Sequence, residues 1–495
     1  MRLASLTLKR GLPGSLGLLS FPTTSDFSRA GSSAARVGWQ SVNSRTKPGV
    51  PPGPFPLDAL RQYAGGSFAQ APRHLLSYAQ RYGPIWSFNL LTRRVFVLDD
   101  ADAVRSVLVE QQQLFRKSRV QRLKPVLGEG LVTSENALHV RQRRLMQPSF
   151  HRSRLPGYAD AITAEVLRTI GNWQDGRSVD ITAEMMRLAL TIVGATLFGR
   201  DVTSETQNVR AAVEELVTVW PKQLAFWNDL ANRVLPFRPR PLDPIAKRLD
   251  ESLMRIIAGR HANDGGEDLL ATLMSAQDEQ GNGMTAQQVR DEAITLLITG
   301  HETTASALIW MLAIVGLNTQ LRERIEAEVD AVVGEGTPRF EHLPELRYTA
   351  AVFEETLRLY PPIWAFGRRA MGDLELLGYR IPRGSTVVMS PYVTHRNPRY
   401  FDDPLEFKPE RWLEKDPPPK GAYFPFGAGA RGCIGEPLAR LEAVLTLATI
   451  VGRVRLIPES TTLPDVAPQL MLRPAHLSMT PRHRADTRAG IVVQA

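Results

Sequence analysis

The chain has 495 residues, enough for one large domain or about three average ones. Hydrophobic residues make up 43% and charged residues 22%, as in an ordinary soluble globular protein. The net charge is +9, and the basic residues are spread along the chain without a basic block interleaved with aromatic residues. Nucleic acid is therefore a poor candidate partner, and an acidic protein is a better one. A single cysteine excludes an intrachain disulfide and fits a reducing compartment.

The first 50 residues differ in composition from the rest. Serine is frequent, and one acid, Asp26, stands against these basic residues: Arg2, Lys9, Arg10, Arg29, Arg36, Arg45 and Lys47. The pattern favours a basic, disordered leader over residues 1–50, with an organelle transit peptide or a misjudged start as the alternatives. A stiff Pro/Gly run ends it, and we expect one globular domain over residues 51–495.

No transmembrane helix is expected. Such a helix needs roughly 20 consecutive apolar residues, and the best N-terminal candidate, residues 11–21, is short and interrupted by Pro13. We expect a cytoplasmic monomer, with membrane association and organelle targeting left open.

Strands and amphipathic helices are predicted in the first half of the globular part. Residues 85–88 and 94–98 are typical of two strands across a turn. Helical spacing of apolar residues predicts helices over residues 102–111, 135–146, 160–173, 182–197 and 205–219. Residues 115–129, rich in Arg and Lys, are predicted to be loop, and the proline-interrupted residues 221–244 an irregular, mobile segment.

The longest predicted helix covers residues 285–316, on the order of 45 Å. Thr285 and Gln288 are typical of a capping box at its start. Its second half is apolar on all sides, which indicates burial. One polar stripe nevertheless follows the helix: Glu292, Thr295, Thr299, Glu302, Thr303 and Ser306. Because an unsatisfied buried polar group costs about 1–3 kcal/mol, this stripe requires partners or a function.

The sole cysteine, Cys433, lies in a glycine-rich stretch at residues 424–437. Glycines in this stretch allow the backbone to approach another group closely or to adopt positive φ. Helical spacing begins immediately afterwards, with Pro437 in the first turn. Cys433 should therefore lie at or just before a helix N-terminus, where free N–H groups and the helix dipole favour a thiolate.

A lone thiolate at this position favours one kind of site. Zinc sites require several Cys or His ligands at short spacing, and a cysteine nucleophile requires a base that the flanking glycines do not supply. A thiolate presented by a glycine-rich loop, with Arg431 two residues before it, suits one axial bond to a heme iron. The alternative is a buried structural cysteine.

The pattern Phe426-x-x-Gly429-x-Arg431-x-Cys433-x-Gly435 resembles the heme-ligand signature of the cytochrome P-450 family of heme-thiolate monooxygenases. The resemblance extends over essentially the whole globular part. It implies the cytochrome P-450 fold, mainly α with a small β-rich lobe near the N-terminus, and heme b bound through Cys433. It also implies insertion of one oxygen atom from O₂ into a C–H or C=C bond. Electrons would come from an external ferredoxin or flavodoxin that docks near Cys433, with no fused reductase.

The six residues that begin at Thr299 resemble the oxygen-activation motif of that family. The resemblance implies that Gly300 leaves room for dioxygen, that Glu302 relays protons, and that Thr303 donates to or positions the bound oxygen. A threonine that bonds back to a carbonyl and bends the helix is the alternative. The family usually has Ala or Gly where this chain has Thr299, which should narrow the oxygen pocket. His301 is expected to bond to solvent or to a partner rather than to iron.

Further residues match family positions that hold the cofactor or the core around it. The Glu-x-x-Arg plus Arg network, which is structural, corresponds to Glu355, Arg358 and Arg411. Heme propionates need cationic partners, and the candidates are His139, Arg143, Arg368 and Arg431. Arg369 could take the place of Arg368. For each arginine, the alternative interpretation is an ordinary surface residue. The resemblance also places three residues against the cofactor: Gly300, Phe426 and Gly435.

The substrate is expected to be apolar. The positions that should line its pocket are almost all apolar, which favours a lipid, terpenoid or carotenoid-like molecule: Leu131, Ile298, Thr299, Ile363, Trp364, Phe366 and Leu470. Arginines within residues 116–122 could hold a substrate carboxylate, although a solvated loop is the favoured interpretation.

Two rival functions remain from the sequence. A peroxide-driven or isomerising heme-thiolate enzyme would not depend on a reductase, and the intact Glu302–Thr303 pair argues against it. A non-catalytic heme sensor or binding protein would need neither an acid–alcohol pair nor an electron partner.

Overall fold

The computed structural model of the chain describes residues 49–55, 70–90, 93–199, 204–223, 242–259, 268–467 and 471–484. Residues 1–48 of the predicted leader and residues 224–241 of the predicted irregular segment lie outside this part. The described residues form a mainly α-helical fold with a small sheet component, which confirms the predicted fold class.

Helices dominate the first half of the chain. Their bounds are α1 (Ala71–Tyr82), α2 (Ala101–Arg105), α3 (Lys124–Leu127), α4 (Asn136–Met146), α5 (Leu155–Gly171), α6 (Ile181–Phe198), α7 (Ser204–Gln223), α8 (Asp243–Ala258) and α9 (Leu269–Ser275). A π-helical turn, Ser106–Glu110, continues α2. The helices predicted in this half are confirmed, with ends shifted by a few residues. The Asp180 carboxylate caps α6 by accepting from the Ala183 amide.

The second half contains the longest helix. The helices here are α10 (Ala286–Leu317), α11 (Thr319–Val332), α12 (Arg347–Leu359), α13 (Pro391–Thr394) and α14 (Glu436–Arg453). The predicted capping box of α10 is confirmed, because Thr285 Oγ accepts from the Gln288 amide and the Gln288 side chain accepts from the Thr285 amide.

The strands form three small sheets. They are β1 (Ile85–Leu90), β2 (Arg93–Leu98), β3 (Phe115–Lys117), β4 (Val179–Asp180), β5 (Phe366–Ala370), β6 (Leu374–Leu376), β7 (Tyr379–Ile381), β8 (Thr386–Met389), β9 (Val454–Pro458) and β10 (Ser478–His483). The largest sheet has the order β1-β2-β8-β5-β3, the second β4-β10-β9, and the third pairs β6 with β7. The predicted hairpin is confirmed, with Ile85 opposite Leu98.

The prediction that residues 115–129 are loop is wrong in part. The segment contains β3, a 3₁₀ turn at Arg119–Leu123, and α3. Strand β3 pairs antiparallel with β5, so that Phe115 lies opposite Ala370. A three-residue strand carries too little local signal to be recognised, because its hydrogen bonds go to a segment far away in the sequence.

Helices α6 and α10 run antiparallel. The Ile181 amide at the start of α6 donates to the Leu477 carbonyl just before β10. Gly316, at the end of α10, lies against Met479 of β10. Val193, late in α6, faces Gly300 in the middle of α10. The start of one helix therefore lies beside the end of the other.

The middle of α10 lies between two apolar clusters. Residues 307–315 of the helix belong to one cluster, together with α5, α12 and α14. Residues 289–298 belong to a second cluster with α8 and α9. The polar residues Thr299, Glu302 and Thr303 fall between the two, so the fold places this part of the stripe at an interruption of the core.

By length and composition, α6 and α10 could each span a membrane. In the fold, 50% and 78% of their apolar windows are buried against other parts of the chain, as in core helices.

Candidate functional site

Cys433 is presented by a loop that turns tightly back on itself, here called the cysteine loop (residues 424–435). Gly427 and Gly429 both have φ of 69°, which favours glycine. A side chain at Gly429 would also collide with the Leu108 carbonyl. The Cys433 amide donates to the Phe426 carbonyl at 2.8 Å and closes the loop.

The sulfur of Cys433 lines a recess. The side chain is accessible, yet protein surrounds the sulfur closely enough for burial to raise the pKa of the thiol. Helix α14 begins at Glu436, as predicted, and amides of Gly435 and Glu436 donate to the sulfur and lower its pKa. The prediction that the protein alone favours the thiolate is wrong, because desolvation outweighs the helix N-terminus. Metal coordination would reverse this balance, since it deprotonates a thiol outright.

Helix α4 holds the cysteine loop. Arg143 Nη1 donates to the Gly432 carbonyl at 2.7 Å, and His139 Nε2 lies 3.2 Å from the Ala430 carbonyl oxygen. The other ring nitrogen of His139 lies 3.4 Å from Ser134 Oγ. Burial, with nearby positive charge, lowers the pKa of His139 to about 4. The ring is therefore neutral at pH 7 in this structure, where it braces the loop, and its role as a propionate partner remains a prediction.

Three basic side chains lie beside the cysteine loop, and we call them the cationic cluster (Lys117, Arg368 and Arg431). Arg431 pairs with Glu135. Within the described residues Arg368 pairs with no carboxylate, and its Nη1 donates to the Gly367 carbonyl at 3.3 Å. Burial lowers the pKa of Arg368 to about 10 and that of Lys117 to about 7, and the charge of Arg431 adds to both shifts.

Strand pairing explains how the cluster forms. Lys117 of β3 lies directly opposite Arg368 of β5. Arg368 is half-buried whereas Arg369 is exposed, so of the two competing arginines the first takes the inward position. Lys117 is a site residue that sequence reasoning missed, because it lies in the segment predicted to be loop and only the β3–β5 register reveals its neighbour.

These residues fit heme b. A single accessible thiol can supply one axial ligand to iron. Like charges directly opposite each other on paired strands are destabilising, and Lys117 and Arg368 are in addition poorly solvated. An anion at this point would offset both costs, and the two heme propionates are such anions.

The hydroxyl groups of α10 are hydrogen-bonded to their own helix. Thr299, Thr303 and Ser306 each donate to the carbonyl four residues earlier at 2.7 Å. Thr304 does the same at 2.8 Å. This is the back-bonded geometry that was the alternative interpretation of the threonine. The hydroxyl hydrogen of Thr303 is therefore engaged, while the oxygen can still accept a hydrogen bond.

Glu302 and His301 are buried beside these hydroxyls. Glu302 is 9% exposed, burial raises its pKa, and the charge of Arg473 opposes the shift. Within the described part of the chain no hydrogen-bond donor reaches its carboxylate. His301 is 2% exposed, and burial lowers its pKa to about 4 against a hydrogen bond with the Leu297 backbone. Of the two expected arrangements for His301, a bond to solvent or to a partner, the structure therefore shows the second.

Gly300 allows two helices to approach closely. A Cβ at this position would lie 2.9 Å from Val193 Cγ2 of α6. The structure thus adds a packing reason for this glycine, and room for dioxygen remains a prediction.

Glu355 pairs with both Arg358 and Arg411. Arg358 Nε and Nη2 donate to the two Glu355 oxygens at 2.8 Å each. Arg411 Nε, Trp412 Nε1 and the Lys408 amide also donate to this carboxylate, at 3.1, 2.9 and 2.8 Å. Burial alone would raise the pKa of Glu355, but the hydrogen bond and charge of Arg358, with the charge of Arg411, lower it overall.

The network reaches the cysteine loop through His395. Arg358 Nη1 donates to the His395 carbonyl at 2.8 Å, and the Phe424 amide donates to His395 Nε2 at 3.0 Å. The buried ion pair therefore supports the first residue of the loop that carries Cys433.

The residues predicted to line a substrate pocket fall into separate groups. Leu131 and Ile298 are buried in the same apolar cluster. Trp364 and Phe366 are half-buried near the large sheet, and Ile363 is exposed. Thr299 lies on α10, half-buried. Leu470 lies outside the described residues. So do the side chains of Arg119 and Arg122, two of the arginines that could hold a substrate carboxylate.

Acidic residues early in α10 hold the segment that contains Leu131. The Leu131 amide donates to Glu292 Oε2 and the Glu129 amide to Asp291 Oδ2, both at 2.8 Å. Lys117 Nζ donates to the Leu131 carbonyl at 3.0 Å. Burial raises the pKa of Glu292 to about 8. Glu292, the first member of the polar stripe, therefore has a structural partner.

Comparison with known proteins agrees with this geometry. The family model described as Cytochrome P450 matches residues 48–481. The chain is 35% identical to cyclooctatin synthase of Streptomyces melanosporofaciens over 91% of this chain and 98% of that protein. It is 32% identical to cyclooctat-9-en-7-ol 5-monooxygenase of the same organism over 84% of this chain and 91% of the relative. It is also 32% identical to pentalenene oxygenase of Streptomyces avermitilis over 80% of this chain and 89% of the relative.

Proposed function

Because this chain belongs to the cytochrome P450 family and is a heme b-dependent monooxygenase, we propose that it inserts one oxygen atom from O₂ into a terpenoid substrate, and that Cys433 would bind the heme iron. The observation that carries the proposal is the accessible Cys433 thiol, braced by Arg143 and His139 beside the cationic cluster. When bound, heme b supplies the iron that activates O₂.

The cationic cluster would hold the heme propionates. Arg368 faces inward without a carboxylate partner in the described residues, and Lys117 lies opposite it. Arg431 already pairs with Glu135 and would contribute charge while keeping that pair. Arg143 donates to the cysteine loop itself, so we assign it to positioning the loop.

Glu302 and Thr303 would relay protons into the site where the reaction occurs. Glu302 is a buried carboxyl whose pKa is raised by burial, so it would hold a proton more readily than an exposed carboxyl and could pass it on at its oxygens. The Thr303 hydroxyl donates to the Thr299 carbonyl, so its oxygen is available as an acceptor. It would position a water molecule in the site.

A terpenoid substrate is supported by the pocket residues and by the relatives. Leu131, Ile298, Trp364 and Phe366 are apolar, and no charged group is among the predicted lining residues. The relatives carry the names of pentalenene and of cyclooctat-9-en-7-ol as the molecules they act on. Such substrates are recognised mainly by burial of apolar surface.

An acidic ferredoxin or flavodoxin is the proposed electron donor. Val109, Leu114 and Val140, close in sequence to residues that contact the cysteine loop, are exposed. The exposed arginines Arg105 and Arg144 pair with Glu110 and Glu279, so the attraction of an acidic partner would come from the charge of the chain as a whole. The net charge of +9 acts in the same direction.

A binding screen tests the substrate class. Holoenzyme is titrated with pentalenene and with cyclooctat-9-en-7-ol while the heme spin-state shift is recorded, and products are then analysed with a ferredoxin, its reductase and NADPH. A spin-state shift followed by an oxygenated product supports the proposal. Product formed from peroxide alone, without dependence on the reductase, would instead favour a peroxide-driven enzyme.

Replacing Thr303 with Ala should lower product formation at least about tenfold, because proton positioning typically contributes larger factors than this. Electrons from NADPH should then appear as hydrogen peroxide instead of product. Thr304→Ala is the matched control, since Thr304 makes the same back-bond from the neighbouring position. Equal losses in both variants would show that the hydroxyls merely shape the helix.

Replacing Arg368 with Gln should weaken heme retention about tenfold, because a hydrogen bond to a charged group contributes about 1.5–3 kcal/mol. The ratio of heme to protein and the rate of heme transfer to apomyoglobin measure this directly. Arg369→Gln, at the exposed neighbouring position, is the control and should retain heme normally. Unchanged heme transfer in the Arg368 variant would contradict its assignment to the propionates.

A further inference from the structure

Arg473 lies over the groove between α6 and α10 without a carboxylate partner. Its guanidinium Nη1 is 3.9 Å from Met186 Sδ of α6, and its buried Nε has no hydrogen-bond partner. Among the described residues no carboxylate lies within ion-pair distance of Arg473. A half-buried arginine in this state requires an explanation, because desolvation of the charge is costly.

The neighbouring backbone fixes where Arg473 can reach. The Leu472 carbonyl accepts from Trp310 Nε1 at 2.8 Å, and the Leu472 amide donates to the Pro362 carbonyl at 3.0 Å. The segment is therefore hydrogen-bonded to the second half of α10 and to the turn that follows α12. A segment held in this way positions its arginine as a fixed part of the site.

The register of α6 against α10 brings the arginine close to Glu302. Val193 of α6 faces Gly300 of α10, and the helices are antiparallel. Met186 lies two turns before Val193 on α6. Because the helices are antiparallel, Met186 lies beside the part of α10 that is about two turns after Gly300, roughly 10 Å along the helix axis. Because the Arg473 guanidinium contacts Met186 and its side chain is long, it lies within a turn or two of Glu302.

Electrostatic coupling agrees with this placement. Burial raises the pKa of Glu302, and the positive charge of Arg473 opposes that shift. Burial lowers the pKa of Arg473, and the negative charge of Glu302 opposes that shift. Glu302 has no hydrogen-bond donor within the described part of the chain, and Arg473 is the charged group that influences its titration.

Other titratable groups near the pair are already occupied or neutral. His301, next to Glu302, is a neutral buried ring whose pKa is lowered to about 4 by burial, with the charge of Arg473 acting in the same direction. On α6, Arg187 and Glu184 pair with each other at 2.7 Å.

We propose that Arg473 is a positioning residue for proton delivery: it forms a transient ion pair with the ionised Glu302 carboxylate and releases the carboxyl when a proton arrives from solvent. The inference rests on the proposed role of Glu302. Its chemistry is the relay of one proton in two transfers. A solvent-derived proton binds a Glu302 oxygen, the ion pair opens, the carboxyl passes the proton towards Thr303, and the recovered carboxylate pairs with Arg473 again.

Removing the charge of Arg473 should have two consequences. The pKa of Glu302 rises further, because the opposing charge is lost, and a weaker acid transfers its proton more slowly. The carboxyl also loses the group that orients it. Substrate affinity should not change, since neither consequence concerns the substrate.

The test uses holoenzyme with a ferredoxin, its reductase and whichever of pentalenene or cyclooctat-9-en-7-ol gives the larger spin-state shift. Arg473→Gln should lower kcat about tenfold, leave KM within about twofold, and move the alkaline limb of the pH profile upward by about one unit. Arg473→Lys should restore most of kcat because it retains the charge. Arg482→Gln, an exposed arginine on β10, is the control and should behave as the parent enzyme.

A double-variant cycle decides whether Arg473 acts through Glu302. On a Glu302→Gln background, Arg473→Gln should cause no further loss. Equal losses on both backgrounds, or a change confined to KM, would overturn the inference in favour of a structural or substrate-binding role. If Arg473→Gln does not fold, Arg473→Lys on the two backgrounds decides instead, since an additive loss there overturns the inference as well. A normal heme-thiolate spectrum in every variant shows that such a failure concerns Arg473 and leaves the proposed function standing.

Discussion

Replacing Cys433 with Ser should abolish oxygenation, with product formation falling by more than about a hundredfold. Loss of a group that supports the metal ligands from outside typically lowers metal affinity or activity about 10–100-fold. Loss of the proposed ligand itself should lower activity further. The reduced protein under carbon monoxide should also lose the red-shifted absorption band of thiolate ligation.

The serine variant should still fold. Serine keeps an acceptor for the amides of Gly435 and Glu436, which donate to the sulfur, and the loop is closed by the Cys433 amide rather than by its side chain. Circular dichroism and the thermal midpoint check this. A serine variant that retained the band and the activity would refute the assignment of Cys433 as ligand.

Replacing Glu355 with Ala should destabilise the protein by about 3–5 kcal/mol, the usual effect of removing one partner of a buried ion pair. The side chains of Glu355 and Arg358 are 0% exposed, so the substitution leaves a buried guanidinium without its carboxylate. We expect low soluble yield and loss of heme rather than slower turnover, because the pair supports the cysteine loop through His395.

Glu410→Ala is the matched control for Glu355. Glu410 pairs with Arg324, but its side chain is 40% exposed, and exposed pairs contribute about 0–1 kcal/mol. Thermal melting with heme absorbance follows both variants. A Glu355 variant that remained stable and heme-replete would contradict the structural role of the network.

The pH dependence of stability follows from the same residue. The pKa of Glu355 is lowered in the folded protein, so its ionised form contributes stability above the ordinary carboxyl pKa, and this contribution is lost as pH falls through the lowered value. The free energy of unfolding should therefore fall less steeply with decreasing pH in Glu355→Gln than in the parent protein.

Much of the fold could be predicted from local patterns. The capping box at Thr285, the apolar second half of α10, and the helix that starts after Cys433 all depend on residues close together in sequence, where propensity and periodicity act directly. The short strand β3 and Lys117 could not be predicted, because strand pairing between residues 115 and 370 is set by the tertiary fold.

The predictions about individual site residues were less successful where burial decides the chemistry. The thiolate preference of Cys433 was wrong, and the choice between solvent and a partner for His301 was left open, since the sequence gives no measure of desolvation. The close contact of Gly300 with Val193 of α6 was not predicted, because it depends on how two distant helices pack.

The amino-acid sequence by itself determined the family, the mainly helical architecture and the single thiol available to bind iron. These depend on residue identity and short-range spacing, which are present in the unfolded chain. Only the tertiary structure decided which charges are desolvated and which stand together: Lys117 opposite Arg368, and Arg473 over the groove that contains Glu302. Electrostatic energies depend on distance and on solvent exposure, and both are fixed only when distant segments pack.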